Sequence, residues 1–151
     1  MSSCDCTPII DNIYLGGKCC SQNADFIEDK KINVIFNVTQ STAFSDVCPT
    51  CKRYRIEVED TLQDQDIQNM YSGLIKYVPI LRAHVEEGDR ILVHCFAGIQ
   101  RSATLIVGYL MKYHGLNPIQ AMEYIRQRRS IAFFPKANFL SAINRYWESL
   151  S

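Results

Sequence analysis

The stretch from Arg90 to Gly115 constrains the fold most: a compact apolar strand, RILVH at 90–94, a short loop, and a largely apolar helix at 102–114 closed by Gly115. Such a strand is buried, so it belongs inside a sheet that helices cover. The rest of the chain alternates in the same way. Residues 9–15, closed by Gly16 and Gly17, predict a first strand, 22–29 a short helix, and the β-branched run NVIFNVT at 33–39 a second strand. In 52–59 the residues Tyr54, Ile56 and Val58 recur with the period of two of a half-buried third strand. From Ile67, the residues Met70, Tyr71, Leu74, Val78 and Leu81 recur at helical spacing and predict a long amphipathic helix to about Glu87, with Asp66 as N-cap and Gly88 as C-cap. Pro79 lies inside that helix, where the lost hydrogen bond costs about 3 kcal/mol, and predicts a kink. Asn117 followed by Pro118 opens a helix to about Arg129, and 137–148 forms the last. The order βαββαβααα predicts an α/β fold with a central mixed, mostly parallel sheet flanked by helices. At 151 residues, without repeats or low-complexity tracts, residues 1–151 are expected to form one domain.

Sixteen basic residues balance sixteen acidic ones, so no global field favours nucleic acid or anionic lipid, and anion recognition has to be local. The opening MSSCDCTPIIDN lacks the basic and apolar regions of a secretory signal. The longest uncharged apolar run, 102–111, falls well short of the roughly 20 residues of a membrane span. The expectation is a soluble protein without a membrane anchor, in the cytoplasm or in cytoplasm and nucleus. Its seven cysteines, an odd number without secretory context, read as mostly reduced thiols. Cys48-Pro49-Thr50-Cys51 reads as loop thiols in preference to a redox pair or half a zinc site, because no second CxxC or HxxxH follows; Cys4, Cys6, Cys19 and Cys20 supply no defined ligand set.

Between the strand and the helix lies HCFAGIQRS, residues 94–102. A strand-to-helix turn aims consecutive backbone N–H groups into a concave nest for an oxyanion, and Gly98 relieves the crowding of that turn. Arg101 adds a planar guanidinium that grips two phosphate oxygens at once. Cys95, beside this positive nest, is expected to have a lowered pKa and to act as a nucleophile. Glu59, Asp60, Asp64 and Asp66, in the acidic stretch 59–66, compete for the role of proton donor.

The segment resembles the C-x5-R signature of the cysteine-based protein tyrosine phosphatases, and its AGIxRSAT form in so short a chain resembles the small, atypical dual-specificity phosphatases in particular. The resemblance runs from IYLGG near the start to the helix beginning at Asn117. It implies the cysteine-based phosphatase fold, and hydrolysis of phosphotyrosine and phosphoserine or phosphothreonine on proteins through a phosphocysteine formed on Cys95. It further implies that Phe96, Ala97, Gly98, Ile99, Gln100 and Arg101 bind the phosphoryl group, that Ser102 stabilises the departing thiolate, and that His94 supports the thiolate and the loop. Asp60 fits the acid best, since EDT at 59–61 resembles the family's Asp loop. No metal and no cofactor are implied, and the partners are phosphorylated proteins.

Two positions depart from the family pattern. Gln100 stands where Ser is usual, and Lys136 follows Pro135 where a Pro-Asn pair usually braces the loop, so the brace is either absent or replaced by Asn138. Arg126, Arg128 and Arg129 read as a solvated helix end, Asp64 and Asp66 as loop and cap residues, and Phe133 and Phe134 as packing more than rim. A non-protein phosphate substrate (phosphoinositide, RNA 5′-phosphate or phosphoglucan) is disfavoured by the uncharged Phe96, Ala97, Ile99 and Gln100. A phospho-residue reader is disfavoured because nucleophile and acid are both present. The only extended connections, 41–51 and 130–136, predict a shallow pocket.

Overall fold

The computed structural model describes residues 5–151; Cys4 and the first residues of the N-terminal segment lie outside the described residues. Among the described residues five strands form one mixed sheet in the order β1-β2-β5-β3-β4. They are β1 (Thr7–Ile10), β2 (Ile13–Gly16), β3 (Val34–Asn37), β4 (Lys52–Arg55) and β5 (Ile91–His94). Only the β1–β2 pair is antiparallel; β2–β5, β5–β3 and β3–β4 are parallel. The apolar strand predicted at 90–94 is therefore the centre of the sheet, paired on both edges.

Alternation along the strands separates two cores. Ile13, Leu15, Val34, Phe36, Ile91 and Val93 face the larger, which is closed by α3 (Asp64–Glu86), α4 (Arg101–His114), α5 (Pro118–Arg128) and α6 (Leu140–Ser149). Tyr14, Ile35 and Leu92 face the smaller, under α1 (Lys18–Ser21) and α2 (Ala24–Asp29). Helix α4 is buried at every residue from Arg101 to Met111. Close approach to α3 depends on Gly108, where an added Cβ would fall 2.9 Å from Val78 and 3.0 Å from Leu74.

Several boundaries differ from the sequence-based expectation. The single strand predicted at 9–15 is a hairpin, turned at Asp11 and Asn12, both left-handed (φ 52° and 63°), as a two-residue hairpin turn requires. Asp11 ties this turn to α4, accepting from Tyr109 Oη at 2.6 Å and His114 Nε2 at 2.8 Å. Burial opposes its charge, but these donors outweigh it and hold the carboxyl below its ordinary value. The helix predicted at 22–29 is α2, starting at Ala24 behind Asn23, whose side chain accepts the Phe26 N–H, and the short α1 before it is not predicted. Pro79, where a kink is expected, lies inside a continuous α3, with Val78 and Leu81 on either side fully buried in the core. The Asn117 cap and Pro118 at the first turn occur as predicted, with a complete capping box from Gln120.

The thiol expectation is corrected. Cys6 pairs with Cys20 and Cys48 with Cys51 as disulfides, because the fold brings their Cα atoms to 5.8 Å and 5.4 Å, within the reach of such a bond. The first pair joins the residue just before β1 to α1, a proximity that cysteine spacing alone does not reveal. Among the described residues no helix is long and apolar enough to cross a membrane.

Candidate active site

The loop from Cys95 to Gln100 leaves the C-terminal end of the central strand, the edge of a parallel sheet at which strands deliver loops to a common crevice. Its start is fixed by the neighbouring strand: Cys95 N–H donates to Gly16 O at 3.4 Å, and Lys18 N–H donates to Phe96 O at 2.8 Å. Gly98 is left-handed (φ 69°), and an added Cβ would lie 2.5 Å from the Gly16 carbonyl carbon. No other residue fits there without displacing backbone.

Cys95 is 2% exposed. Its Sγ lies 3.1 Å from Ser102 Oγ and accepts the Gly98 N–H at 3.3 Å. Among the described residues Gly98 has the only paired amide between 96 and 100; those of Phe96, Ala97, Ile99 and Gln100 stay open to an acceptor. Arg101, the first residue of α4, donates through Nη1 to Val58 O at 3.2 Å, while its Nε is buried without a partner. An unmet buried donor costs roughly 1–3 kcal/mol, and a bound oxyanion would relieve it. A cavity of about 230 Å³ joins these groups, lined by Cys95, Arg101, Asp60, Phe96, Phe134 and Asn138 among others. A larger depression of about 550 Å³, along Asn23 to Asp29, is lined by Asp25, Glu28 and Asp29 and holds neither a cysteine nor a cation.

Of the four acids in 59–66, Asp60 alone lines this cavity. Asp64 is exposed at the start of α3. Asp66 is neither solvated nor the N-cap, which is Gln63. It is a buried anchor whose carboxylate accepts from Glu59 N–H at 3.1 Å and from the Thr61 hydroxyl, fixing the loop that carries Asp60.

The basic run is also corrected. Arg129 is completely buried and donates to Gly98 O at 2.8 Å and Ala97 O at 3.2 Å, with further bonds to Asp5 O and Thr7 Oγ1. Those partners are 31 and more residues away, so no local signal distinguishes it from Arg128, which stacks over Tyr124 at 3.5 Å. Phe133 and Phe134 divide the two roles between them: Phe133 is core, and Phe134 is 73% exposed on the cavity rim.

His94 is fully buried, its Nδ1 3.2 Å from Cys95 O; with a carbonyl as partner, Nδ1 carries the hydrogen. Burial, helped by the Arg55 and Arg101 charges, pushes its pKa down to about 4 against the Cys95 carbonyl bond, which acts to raise it. The ring is therefore neutral at neutral pH and lends the site shape, not charge. Between the ordinary value near 6.5 and about 4, the unfolded chain takes up a proton that the folded one refuses. Stability from this residue is thus complete above pH 6.5 and declines as pH falls to about 4, by on the order of 3 kcal/mol. Urea unfolding of the wild type and His94→Gln across that window should show the steeper acid decline in the wild type; parallel curves would contradict it.

The model of the dual specificity phosphatase catalytic domain matches residues 13–149. The chain is 34% identical over 139 residues to dual specificity protein phosphatase 5 of Rattus norvegicus, covering 91% of this chain and 34% of that protein, and so spans about a third of that relative's length. It is 31% identical over 147 residues to dual specificity protein phosphatase 1B of Arabidopsis thaliana, covering 97% of this chain and 84% of that one. Among solved structures, DUSP15 superposes with a TM-score of 0.84 at 26% identity, covering 97% of this chain and 90% of that one. Human DUSP28 superposes with a TM-score of 0.84 at 22% identity, over 96% and 94% of the two chains, a likeness of fold.

Proposed function

This chain belongs to the dual specificity phosphatase family, and from that premise we propose that it acts as a single catalytic domain hydrolysing phosphotyrosine and phosphoserine or phosphothreonine on proteins. The observation that carries the reading is one cavity holding Cys95, the open amides of its loop, Arg101 and Asp60.

In the proposed route the Cys95 thiolate attacks phosphorus, and the bond to the leaving oxygen breaks as Asp60 delivers its proton to that oxygen. The amides of Phe96, Ala97, Ile99 and Gln100 and the free Nε edge of Arg101 hold the equatorial oxygens, whose charge grows in transfer. Water, relieved of a proton by the Asp60 carboxylate, then attacks the phosphocysteine; Sγ leaves as thiolate, stabilised by Ser102 Oγ at 3.1 Å and Gly98 N–H at 3.3 Å. Nucleophile, proton donor and charge stabilisation all come from side chains and backbone, so no step calls for a metal or cofactor.

The rim supports dual scope. Phe96 is 64% exposed, and with Phe134 and Pro135 it lines the cavity of Cys95 as an apolar rim on which an aryl ring can pack; in the proposed reading a shorter alkyl phosphate also reaches Cys95. Matched phosphotyrosine and phosphothreonine peptides should both be hydrolysed, phosphotyrosine faster because phenoxide is the better leaving group. Robust phosphotyrosine turnover without detectable phosphothreonine turnover would refute the dual scope.

A further inference from the structure

Gln100 is 5% exposed, yet its side chain does not cap α4, the helix it precedes. It crosses instead to the α5–α6 connection, where Nε2 donates to Lys136 O at 2.9 Å and Phe134 O at 3.3 Å, while Oε1 accepts the Asn138 N–H at 3.0 Å. Two carbonyls on one side and an N–H on the other leave the amide a single orientation. Asn138 then extends its own side chain to the acid loop, Nδ2 donating to Asp60 Oδ1 at 2.9 Å. One chain of hydrogen bonds thus runs from the residue beside Arg101, through the 134–138 segment, to the carboxyl proposed to move the proton. We propose that Gln100 and Asn138 are positioning residues for Asp60: they lock the acid loop to the phosphate-binding loop and, by occupying Oδ1, assign Oδ2 as the oxygen that delivers the proton.

The physical need is clear from the setting of Asp60. It is exposed, on an irregular loop between β4 and α3, whereas the nucleophile is buried just past the end of the central strand. Asp66 fixes the loop at Glu59 and Thr61, on either side of Asp60, but does not hold the Asp60 side chain itself. A carboxyl free to rotate presents either oxygen; one held by an amide donor presents the other toward the cavity it lines. Gln100 reaches the 134–138 segment, and through Asn138 the acid loop, because its side chain is long enough to span that gap, which a serine at this position would not be.

The inference rests on the reading of Asp60 as general acid, and the test separates the two. Asn138→Ala removes the donor to Asp60 while leaving the backbone N–H that Gln100 holds. Turnover of phenyl phosphate, whose leaving group needs the proton, should fall about tenfold with KM changed less than about twofold. Turnover of p-nitrophenyl phosphate, whose leaving group is stable as an anion, should fall less than about twofold and thereby also report an intact fold. Gln100→Ala, which also loosens the phosphate-binding loop, should lower turnover of both esters, and that of phenyl phosphate by the larger factor. Asn138→Asp, of nearly the same size but with a carboxylate facing Asp60, should be at least as impaired on phenyl phosphate as Asn138→Ala; wild-type rates would mean that bulk alone matters and would overturn the proposal. In an Asp60→Asn background, Asn138→Ala should cause no further loss of phenyl phosphate turnover. Equal losses on both substrates, or an undiminished loss in that background, would make the bridge merely structural. If Asp60→Asn itself fails to discriminate the two substrates, the assignment of the acid falls, and the bridge with it; if Asp60→Asn discriminates and Asn138→Ala does not, the bridge alone falls.

Discussion

Replacing Cys95 by Ser is expected to reduce turnover by on the order of 10⁴-fold or more on every phosphate ester, the largest effect any single side chain should have here. The exchange keeps the size and position of the group, 3.1 Å from Ser102 Oγ and within reach of Gly98 N–H. It removes the chemistry: a serine hydroxyl stays protonated near neutral pH, whereas the thiolate is the nucleophile. Since the loop amides and Arg101 are untouched, the variant should still bind phosphotyrosine peptide, which isothermal titration can measure in the absence of turnover. Rapid acid quenching of the wild type during turnover should in turn trap phosphate on Cys95, located by mass spectrometry of its peptide. Undiminished activity of the Ser variant would sink the covalent route.

Asp60→Asn is expected to lower turnover of phenyl phosphate by about 10²- to 10⁴-fold, because an amide cannot give a proton to the leaving oxygen. For p-nitrophenyl phosphate the loss should be far smaller, since that oxygen leaves as a stable anion. The contrast between the two esters is the informative quantity, as a disturbed fold would depress both alike. Asp60 shares the cavity with Cys95 while Asp64 is exposed at the start of α3 and Asp66 is engaged by Glu59 and Thr61, so the effect should be confined to Asp60 within the 59–66 stretch. Equal losses on both esters would move the role away from it.

Whether a feature was legible in the sequence depended on the distance over which it is encoded. The strand 90–94, the helix ended by left-handed Gly115, the capping box at Asn117 and the motif from His94 to Ser102 are written in consecutive residues, and periodicity and cap chemistry suffice to read them. The Asp11–Asn12 turn was readable too, but the apolar residues on either side mask it as one strand.

Arg129, Asp66, Gln100 and the Cys6–Cys20 pair were not legible, for one reason. Each is a polar or reactive group whose partner is supplied by another element: Ala97 and Gly98 for Arg129, the acid loop for Asp66, the 134–138 segment for Gln100, and the segment before β1 meeting α1 for Cys6 and Cys20. Viewed along the chain, a charged residue at a helix end is most economically assigned to solvent, and only burial by other elements reverses that assignment. The sequence by itself therefore determined the element types, the central strand and the chemical identity of the phosphate-binding loop, since propensity, periodicity and motif spacing are local. The tertiary structure alone decided which acid shares the cavity with Cys95, that His94 is neutral, and that Gln100 reaches through Asn138 to Asp60, because a group's protonation and reach are set by the neighbours that packing brings to it.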